Sequence, residues 1–458
     1  MAFLIGGANS AADDAYEVAN SCLFNPGDTA YLSRTCGSTS TSFTFSMWVK
    51  TATTSGTTTS GLFWNSATNK VNWELNDDGQ IYHYSPTVRS TGFYRDPHAW
   101  YHLVWKVDSG TGALYVNGVV ATGLSSVGSI GALNSSNNIE IGADAGGSTF
   151  AGHIAEVCFI DGSALNPTSF GEFDEDSPTI WKPKDVSGLT FGTQGFYLDF
   201  EDSSALGDDK SGNGNDYTAN NLAATDQSTD TPTNNFCVMS PLAHQTRAQT
   251  LTEGNLQAYY SSGSNWGTNW ASIAAKNGKW YAEVLVTAYG SNGSNIGIVN
   301  VDMTAFPNQA AISNGQDEFS AGYYSTGILQ RNSETSHSGN TNDDYDSYGA
   351  DDIVSMAMDL DNGFLYWAKN GTWQNSGDPT SAGTGTGGVA TSHLTAGDTY
   401  AFSSNIRSGT TISWNFGNPP TTFSISSGNA DANGYGNFEY APPSGYLALC
   451  TKNLAEEG

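Results

Sequence analysis

The sequence has few basic residues and no long apolar run. Only 16 Lys and Arg stand against 45 Asp and Glu in 458 residues, so the formal net charge is -29. Because phosphate binding needs a basic surface, this balance excludes a nucleic-acid partner as a working hypothesis. No stretch of 18 apolar residues occurs, and no basic region precedes a hydrophobic one near the start. Neither membrane insertion nor a signal peptide is therefore expected.

Cysteines are few, and their spacing shows no motif for a disulfide or a metal site. The five are spread over the whole chain without a CxxC motif, at Cys22, Cys36, Cys158, Cys237 and Cys450. An odd number at such spacings favours buried free thiols over a disulfide framework or a zinc site. The sequence also allows a contact between Cys22 and Cys36 across neighbouring strands.

Charged residues of both signs make up only 13% of the chain, whereas glycine occurs 53 times. A polar surface must therefore come from hydroxyl and amide side chains, a composition typical of short strands and tight turns. The 12 Trp, 22 Tyr and 21 Phe supply enough apolar material to exclude wholesale disorder. The length predicts at least two domains.

Alternating patterns predict an all-β fold. In FTFSMWVK, the side chains of Phe43, Phe45, Met47 and Val49 share one apolar face. Asn117-Gly118, between two further strand patterns, predicts a type I′ hairpin. Similar short runs continue to residue 200, so 22–200 is interpreted as a β-sandwich, preceded by an N-terminal arm over 1–21.

The second half repeats this architecture. Residues 201–250 are poor in large apolar side chains and are predicted to be a linker. Strand patterns resume over 251–420, where DLDNG and Asn370-Gly371 predict turns, and a Gly/Asn/Pro-rich tail is expected over 421–458. The predicted fold class is all-β, with two β-sandwich (jelly-roll) domains in tandem.

Several motifs in order resemble known modules. YLSRT, FTFSMWVK, WYHLVWKVD, LYVNG and GHIAEVCFIDG resemble the concanavalin A-like, or laminin-G-like, jelly roll of phage tail proteins. GKWYAEV, DLDNGFLYWAKNGTWQNSGDP and WNFGNPP resemble a SPRY domain. The segments GFYLDFEDSSALGDDKSGNGNDYTANNL, TPTNNFCVMSPL and GYLALCTKNL are similar to virion-associated proteins of tailed phages.

The resemblance implies a phage virion structural protein, as a tail fibre or tail-associated adhesin that binds host surface glycans. Its expected partners are other virion proteins and a host cell-surface glycan, and its expected location is the particle surface, on the tail rather than the head. It also suggests a homo-oligomer such as a trimer, although no heptad repeat is present to form a coiled-coil stalk. A head-decoration or tail-scaffold protein and a polysaccharide depolymerase are the alternatives.

No catalytic residues are predicted. The acidic run GEFDEDSP, with Glu172, Asp174, Glu175 and Asp176, departs from the superfamily's catalytic pattern because Ser177 stands where a third acid is required. A solvated loop is the simpler interpretation. His98 and His102 are spaced for a helical metal pair but lie in a predicted strand, where packing is expected.

Calcium is the one metal that the sequence suggests. The loop DDKSGNGND offers Asp208, Asp209 and Asp216, with oxygen ligands in a glycine-rich setting. A turn rich in Asp and Asn is the alternative interpretation.

Glycan binding is predicted at aromatic residues in polar loops, because sugars present apolar faces to aromatic rings and hydroxyls to polar groups. Roles as loop anchors or subunit contacts stay open for all of them. The candidates are Tyr82, Tyr84, Tyr94, Arg95, Trp266 and Trp270.

Overall fold

The chain folds into two compact units that divide between Asn235 and Phe236. They are termed the N-terminal and the C-terminal unit. Each is built from mainly antiparallel sheets, which confirms the predicted all-β class. The computed structural model describes residues 16–53, 60–65, 71–73, 79–83, 88–127, 132–133, 137–144, 147–244, 247–261, 265–290, 293–302, 320–331, 345–391 and 398–457.

Short strands make up the N-terminal unit. They are β1 (Ser21–Phe24), β2 (Tyr31–Cys36), β3 (Phe43–Thr51), β4 (Ser60–Asn65), β5 (Val71–Trp73), β6 (Tyr82–His83), β7 (Val88–Arg89), β8 (Tyr101–Asp108), β9 (Thr111–Val116), β10 (Val119–Val120), β11 (Asn137–Ile141), β12 (Ala143–Asp144), β13 (Ser148–Thr149), β14 (Gly152–Asp161), β15 (Gly171–Phe173), β16 (Trp181–Pro183), β17 (Phe196–Leu198), β18 (Thr218–Asn220) and β19 (Gln227–Ser228). Single 3-10 turns occur at Pro26–Asp28, Pro167–Ser169 and Ala224–Asp226.

Two large sheets form the sandwich. The eight-stranded sheet has the order β10-β9-β8-β3-β14-β1-β19, with β17 also paired to β14. The seven-stranded sheet has the order β18-β2-β11-β4-β5-β6-β7. Small two-stranded ribbons, β12-β13 and β15-β16, complete the unit.

The core lies between these sheets. From β3 it receives Phe43, Phe45, Met47 and Val49, the face that alternation predicted. The predicted hairpin is also confirmed, because Asn117 and Gly118 both have positive φ, 48° and 78°, as a type I′ turn requires.

The other face of β3 is buried as well, which the pattern did not predict. Thr44, Ser46, Trp48 and Lys50 are at most 3% exposed. Later chain segments cover them: Trp181 packs near Trp48 in a small hydrophobic cluster on this side of the sheet. The eight-stranded sheet therefore has a second, more polar buried layer.

The predicted linker over 201–250 is wrong. Residues up to Asn235 belong to the N-terminal unit, where β18 pairs with β2 and β19 pairs with β1. Residues from Phe236 onward belong to the C-terminal unit, and Phe236 itself is 2% exposed. The low apolar content reflects edge strands and turns held by side-chain hydrogen bonds.

The C-terminal unit is a second sandwich. Its strands are β20 (Met239–His244), β21 (Thr250–Thr252), β22 (Gln257–Tyr259), β23 (Trp266–Ala271), β24 (Lys279–Ala288), β25 (Ser294–Asn300), β26 (Ser320–Tyr324), β27 (Leu329–Arg331), β28 (Ile353–Asp359), β29 (Phe364–Lys369), β30 (Thr372–Trp373), β31 (Val389–Ala390), β32 (Tyr400–Arg407), β33 (Thr411–Asn415) and β34 (Leu447–Ala448). One helix, α1 (Thr451–Glu457), and 3-10 turns at Gln374–Ser376 and Ala382–Thr384 are present among the described residues.

A six-stranded sheet of order β20-β23-β32-β25-β26-β27 faces a nine-stranded sheet across the core of this unit. The nine-stranded sheet has the order β21-β22-β33-β24-β28-β29-β30, with β31 added beside β29 and β34 parallel to β24. The predicted tail over 421–458 is wrong, because Phe438, Tyr446 and Cys450 are fully buried against this sheet. In the described part of the chain, no helix is long and apolar enough to cross a membrane.

Candidate functional site

The outer face of the seven-stranded sheet in the N-terminal unit is the candidate site. Alternation along β2 and β11 divides their side chains between two environments. Leu32 and Ile139 point into the hydrophobic core. Their neighbours Ser33, Asn138 and Glu140 therefore face the other way, away from the core. The sequence NNIEI thus places an amide and a carboxylate on the outer face.

Strand register aligns four of these outer residues in one line. Thr218 of β18 lies opposite Ser33, Ser33 opposite Glu140, and Glu140 opposite Trp64 of β4. Directly opposed residues have Cβ atoms about 5 Å apart. The line, termed the outer row, therefore extends across four strands and ends on an indole ring.

Further polar and aromatic groups flank the outer row. Asn220 lies opposite Tyr31, and Asn138 lies opposite Thr35. The Asn220 side-chain amide donates to the Ser33 hydroxyl at 2.9 Å, and the Thr35 hydroxyl donates to Asn138 Oδ1 at 3.2 Å. These bonds fix the positions of the polar side chains before any ligand is bound.

Exposure on this face is graded. Thr35, Asn138 and Thr218 are exposed, while Tyr31 and Trp64 are partly exposed. Glu140 is 6% exposed, so its carboxylate lies at the base of this surface. The arrangement presents ring faces, amides, hydroxyls and a carboxylate together on a rigid sheet.

Among the described residues of this face, Glu140 supplies the one carboxylate. Hydrolysis of a glycosidic bond commonly needs two carboxyl groups on opposite sides of the scissile bond. The described residues of this face can therefore hydrogen-bond to a ligand and stack on it, but they do not form that pair of carboxyl groups.

Tyr82 also lies on the outer face. Val88 packs toward the core, so the next residue, Arg89, faces outward, and Tyr82 is directly opposite Arg89 on the neighbouring strand. The Arg89 guanidinium carbon lies 5.1 Å from the centroid of the Tyr82 ring. Tyr82 is only 7% exposed, so this cation–π pair supports the sheet edge more than it offers a stacking surface. Tyr84 lies outside the described residues.

Tyr94 and Arg95 have different roles. Tyr94 packs edge-on against Tyr101 at 5.8 Å and contacts the core, as a loop anchor does. Arg95 is exposed and lies over the ring of Phe93, 4.6 Å from its centroid, and Phe93 is itself 50% exposed. Of the two predicted residues, Arg95 is the one that a ligand could reach freely.

Trp266 and Trp270 are not loop residues, so the prediction of an exposed aromatic loop is wrong. Both lie in β23 of the C-terminal unit and are 8% and 1% exposed. The Arg407 guanidinium covers Trp266 at 4.8 Å, and Trp270 belongs to the hydrophobic core. Neither ring is available to stack on a sugar.

The acidic loop predicted to bind calcium is held together by its own hydrogen bonds. Asp209 accepts from the backbone N–H groups of Tyr197, Ser211 and Asn215 at 2.8–2.9 Å. Asp216 accepts from the Asp209 N–H at 3.0 Å. Within the described residues, no group of three or more His, Cys, Asp or Glu side chains is arranged to hold a metal ion. These contacts are those of a turn rich in Asp and Asn, the alternative interpretation of this loop.

A cleft of about 530 Å³ lies beside this loop and next to β18. Small side chains line most of it, and Asp208 and Asp216 are also among the lining residues. Asp208 pairs with Lys210 at 2.7 Å, which neutralises its charge locally.

Other polar candidates are also structural. Asp174 accepts from the backbone of Asp176 and Ser177 and pairs with Lys182 at 3.2 Å, so it fixes a turn. His102 is buried, as expected for packing, and burial lowers its pKa to about 3. All five cysteines are free and buried, as predicted.

Sequence reasoning missed Trp64, Tyr31 and Glu140 as site residues. The available signal for Glu140 was period two, because NNIEI places it between Ile139 and Ile141. GLFWN gives no such signal for Trp64, since Leu62 and Phe63 are adjacent. What the sequence did not show was the pairing of β11 with both β2 and β4, which brings these residues side by side.

Part of the N-terminal unit is similar to a known family. Residues 26–169 match the concanavalin A-like lectin/glucanases superfamily. This span contains β2, β4 and β11, which carry most of the outer row. No curated protein sequence matches the chain.

Solved structures to which the chain is similar include domains of several kinds. The SPRY domain of human HERC1 is 14% identical, with a TM-score of 0.29, covering 38% of this chain and 96% of its own. The heptameric SAP-like pentraxin of Limulus polyphemus is 14% identical, with a TM-score of 0.27, covering 33% and 80%. Domain 4 of AbnA, an extracellular arabinanase of Geobacillus stearothermophilus solved with arabinotriose, is 23% identical, with a TM-score of 0.23, covering 29% and 65%.

Proposed function

We propose that this protein binds carbohydrate without cleaving it, through the outer face of the seven-stranded sheet. The observation that carries the proposal is the outer row, in which Glu140 lies between Ser33 and Trp64 on adjacent strands. Its location in the part of the chain that matches a lectin and glucanase superfamily supports the same interpretation.

The chemistry of the outer face suits a sugar. A pyranose ring has an apolar C–H face that packs on an aromatic ring, which Trp64 and Tyr31 can provide. Its hydroxyls donate to and accept from carboxylate, amide and hydroxyl groups such as Glu140 and Asn138. Because the groups sit on paired strands, little conformational entropy is lost when a ligand binds.

Display on a phage particle is the finer part of the proposal. The ordered motifs that resemble virion-associated proteins support it, as does a strongly acidic chain, whose charge on a particle surface would make whole particles repel one another. Several copies on one particle, in a trimeric fibre for example, would turn weak single-site binding into firm attachment by raising the effective concentration. The protein would then act as a tail-associated adhesin.

A second candidate function, contact with neighbouring virion subunits, has one observation in its favour. The edge strand β10 exposes Val119 and Val120, which are 59% and 40% exposed, and Phe173 is 44% exposed. Apolar residues at a sheet edge are typical of surfaces that pair with other chains. A head-decoration or tail-scaffold role would use this edge and leave the outer row unoccupied.

A glycan array separates these functions. The full chain, labelled at its surface lysines, should bind a defined subset of glycans if the outer row is a carbohydrate site. Bound glycans should be recovered intact, without new reducing ends, which distinguishes binding from depolymerase activity. Failure to bind any glycan would favour the subunit-contact function, and new reducing ends would contradict the non-catalytic proposal.

A further inference from the structure

A lysine, an aspartate and an asparagine meet in the second buried layer of the N-terminal unit. Nζ of Lys50 lies 2.6 Å from Oδ2 of Asp230 and 2.6 Å from Oδ1 of Asn235. Lys50 is 2% exposed and Asp230 is fully buried. Lys50 precedes Asp230 by 180 residues, so the fold brings it to the segment that carries Asp230 and Asn235.

Each member of this group is held by the surrounding structure. Lys50 is near the end of β3, opposite His153 of β14. The Trp100 indole N–H donates to Asp230 Oδ1 at 3.1 Å. The Asn235 amide nitrogen donates to the carbonyl oxygen of His98 at 2.7 Å, which fixes the plane of the amide.

This geometry brings a nucleophile near a carbonyl carbon. A C=O bond is about 1.23 Å long, so Nζ of Lys50 lies no more than about 3.8 Å from Cγ of Asn235. Reacting atoms in productive intramolecular complexes are about 3–3.5 Å apart, and such placement greatly accelerates a reaction. Asp230 lies within hydrogen-bond distance of the same nitrogen and can take its proton.

We propose that Lys50 and Asn235 form an intramolecular isopeptide bond, with Asp230 transferring the protons. Nζ of Lys50 transfers a proton to Asp230 and attacks Cγ of Asn235, and the bond from Cγ to Nδ2 breaks as the new amide forms. Nζ gives up two protons in all. Asp230 passes one to Nδ2, which leaves as ammonia, and keeps the other.

The reaction is favoured by its setting. A buried ammonium–carboxylate pair is replaced by a neutral amide and a neutral acid, which removes the cost of keeping two charges away from water. Asn235 is partly exposed, so ammonia has a route to solvent. No oxidant, metal or second substrate is required.

The bond would tie β3 to the last residue of the N-terminal unit. It would close a loop over residues 51–234, and the C-terminal unit begins at the next residue, Phe236. Force applied to the chain at this boundary would then be carried by a covalent link instead of by an ion pair. Such a link suits a protein that holds a particle to a surface.

Mass spectrometry of the purified full chain tests the proposal. We expect the intact mass to be lower than the sequence mass by one ammonia molecule. After trypsin, the peptide 35–70, uncleaved at Lys50, should be recovered joined to the peptide 211–247. Fragmentation should locate the link at Lys50 and Asn235.

Two variants keep the test decisive. Asn235→Ala removes the acceptor but leaves the pair of Lys50 with Asp230, so it should fold and show its full sequence mass. Thr225→Ala, an exposed change in the same tryptic peptide, should still lose ammonia. A folded wild-type chain of full mass would overturn the proposal. So would ammonia loss confined to one unlinked peptide, or a link with loss of water at Asp230.

Discussion

The indole of Trp48 stacks on the imidazole of His102, with ring centroids 4.6 Å apart and planes inclined by 21°. The same imidazole accepts at Nδ1 from the Trp181 indole N–H at 2.9 Å and lies 2.8 Å from the Ser46 hydroxyl through Nε2. Since Nδ1 accepts, the proton of the neutral ring is on Nε2. His102 thus joins β3, β8 and β16 in the second buried layer.

The burial of His102 predicts that the folded protein loses stability at low pH. Burial lowers the pKa of His102 to about 3, below its ordinary value near 6.5. The unfolded chain therefore binds the extra proton first, and stability from this group is lost as pH falls from about 6.5 toward 3. Urea unfolding across this pH range should show that His102→Phe loses less unfolding free energy on acidification than wild type does. Equal losses would contradict the assignment.

Glu156 predicts a pH effect of the opposite sign. It is 5% exposed, its carboxylate accepts from the hydroxyls of Tyr16 and Tyr197, and burial raises its pKa to about 7. A raised carboxyl pKa means that the folded state holds the proton more tightly, so stability falls as pH rises from about 4.5 through 7. Compared with Glu156→Gln, wild type should gain up to about 3 kcal/mol of unfolding free energy on going from pH 8 to pH 4.5. No difference in pH slope would contradict this prediction.

The Asp209 loop should be stabilised by hydrogen bonds and not by calcium. Asp209→Asn places an amide N–H₂ against backbone donors, so we expect a loss of about 1–3 kcal/mol in unfolding free energy. Asp208→Asn is the matched control, because Asp208 is partly exposed and pairs only with Lys210 among the described contacts; its effect should be near zero. The melting temperature of wild type should be the same in calcium and in EDTA, and a rise in calcium would restore the metal interpretation.

Gly118 should tolerate no side chain. Its φ is 78°, and a Cβ atom added there would lie 2.4 Å from the ring of Trp181. Gly118→Ala should therefore cost more than about 1 kcal/mol in chemical denaturation, through both backbone strain and the clash. Ala113→Gly in the partner strand β9 changes the same hairpin without a clash and should cost less.

Local patterns predicted the parts of the fold that depend on local physics. The alternation in β3 predicted its core face, and Asn117-Gly118 predicted the turn, because strand period and positive φ are properties of a few neighbouring residues. The linker and tail predictions failed for the same reason. Asp230 and Phe438 are buried by contacts with distant strands, and their own segments carry little sign of it.

In the candidate site, too, local sequence predicted the direction of side chains but not which strands are neighbours. Alternation in NNIEI places Glu140 opposite in direction to Ile139, but the sequence did not show that Trp64 is its neighbour on the next strand. The prediction that Trp266 and Trp270 lie in an exposed loop was wrong because a polar, glycine-rich sequence is typical of loops. In the fold, that sequence is a strand whose polar residues are satisfied inside the sheet, as Asn269 is by donating to the Ser240 carbonyl at 2.7 Å.

The most direct test of carbohydrate binding is calorimetric titration of the best glycan from the array into wild type, Trp64→Ala and Tyr259→Ala. Tyr259 is 37% exposed in the C-terminal unit and is a matched aromatic control. Trp64→Ala should weaken binding about tenfold or more, which corresponds to about 1.4 kcal/mol, while Tyr259→Ala binds as wild type does. Unchanged affinity in a folded Trp64→Ala protein would contradict the assignment of the outer row as the binding site.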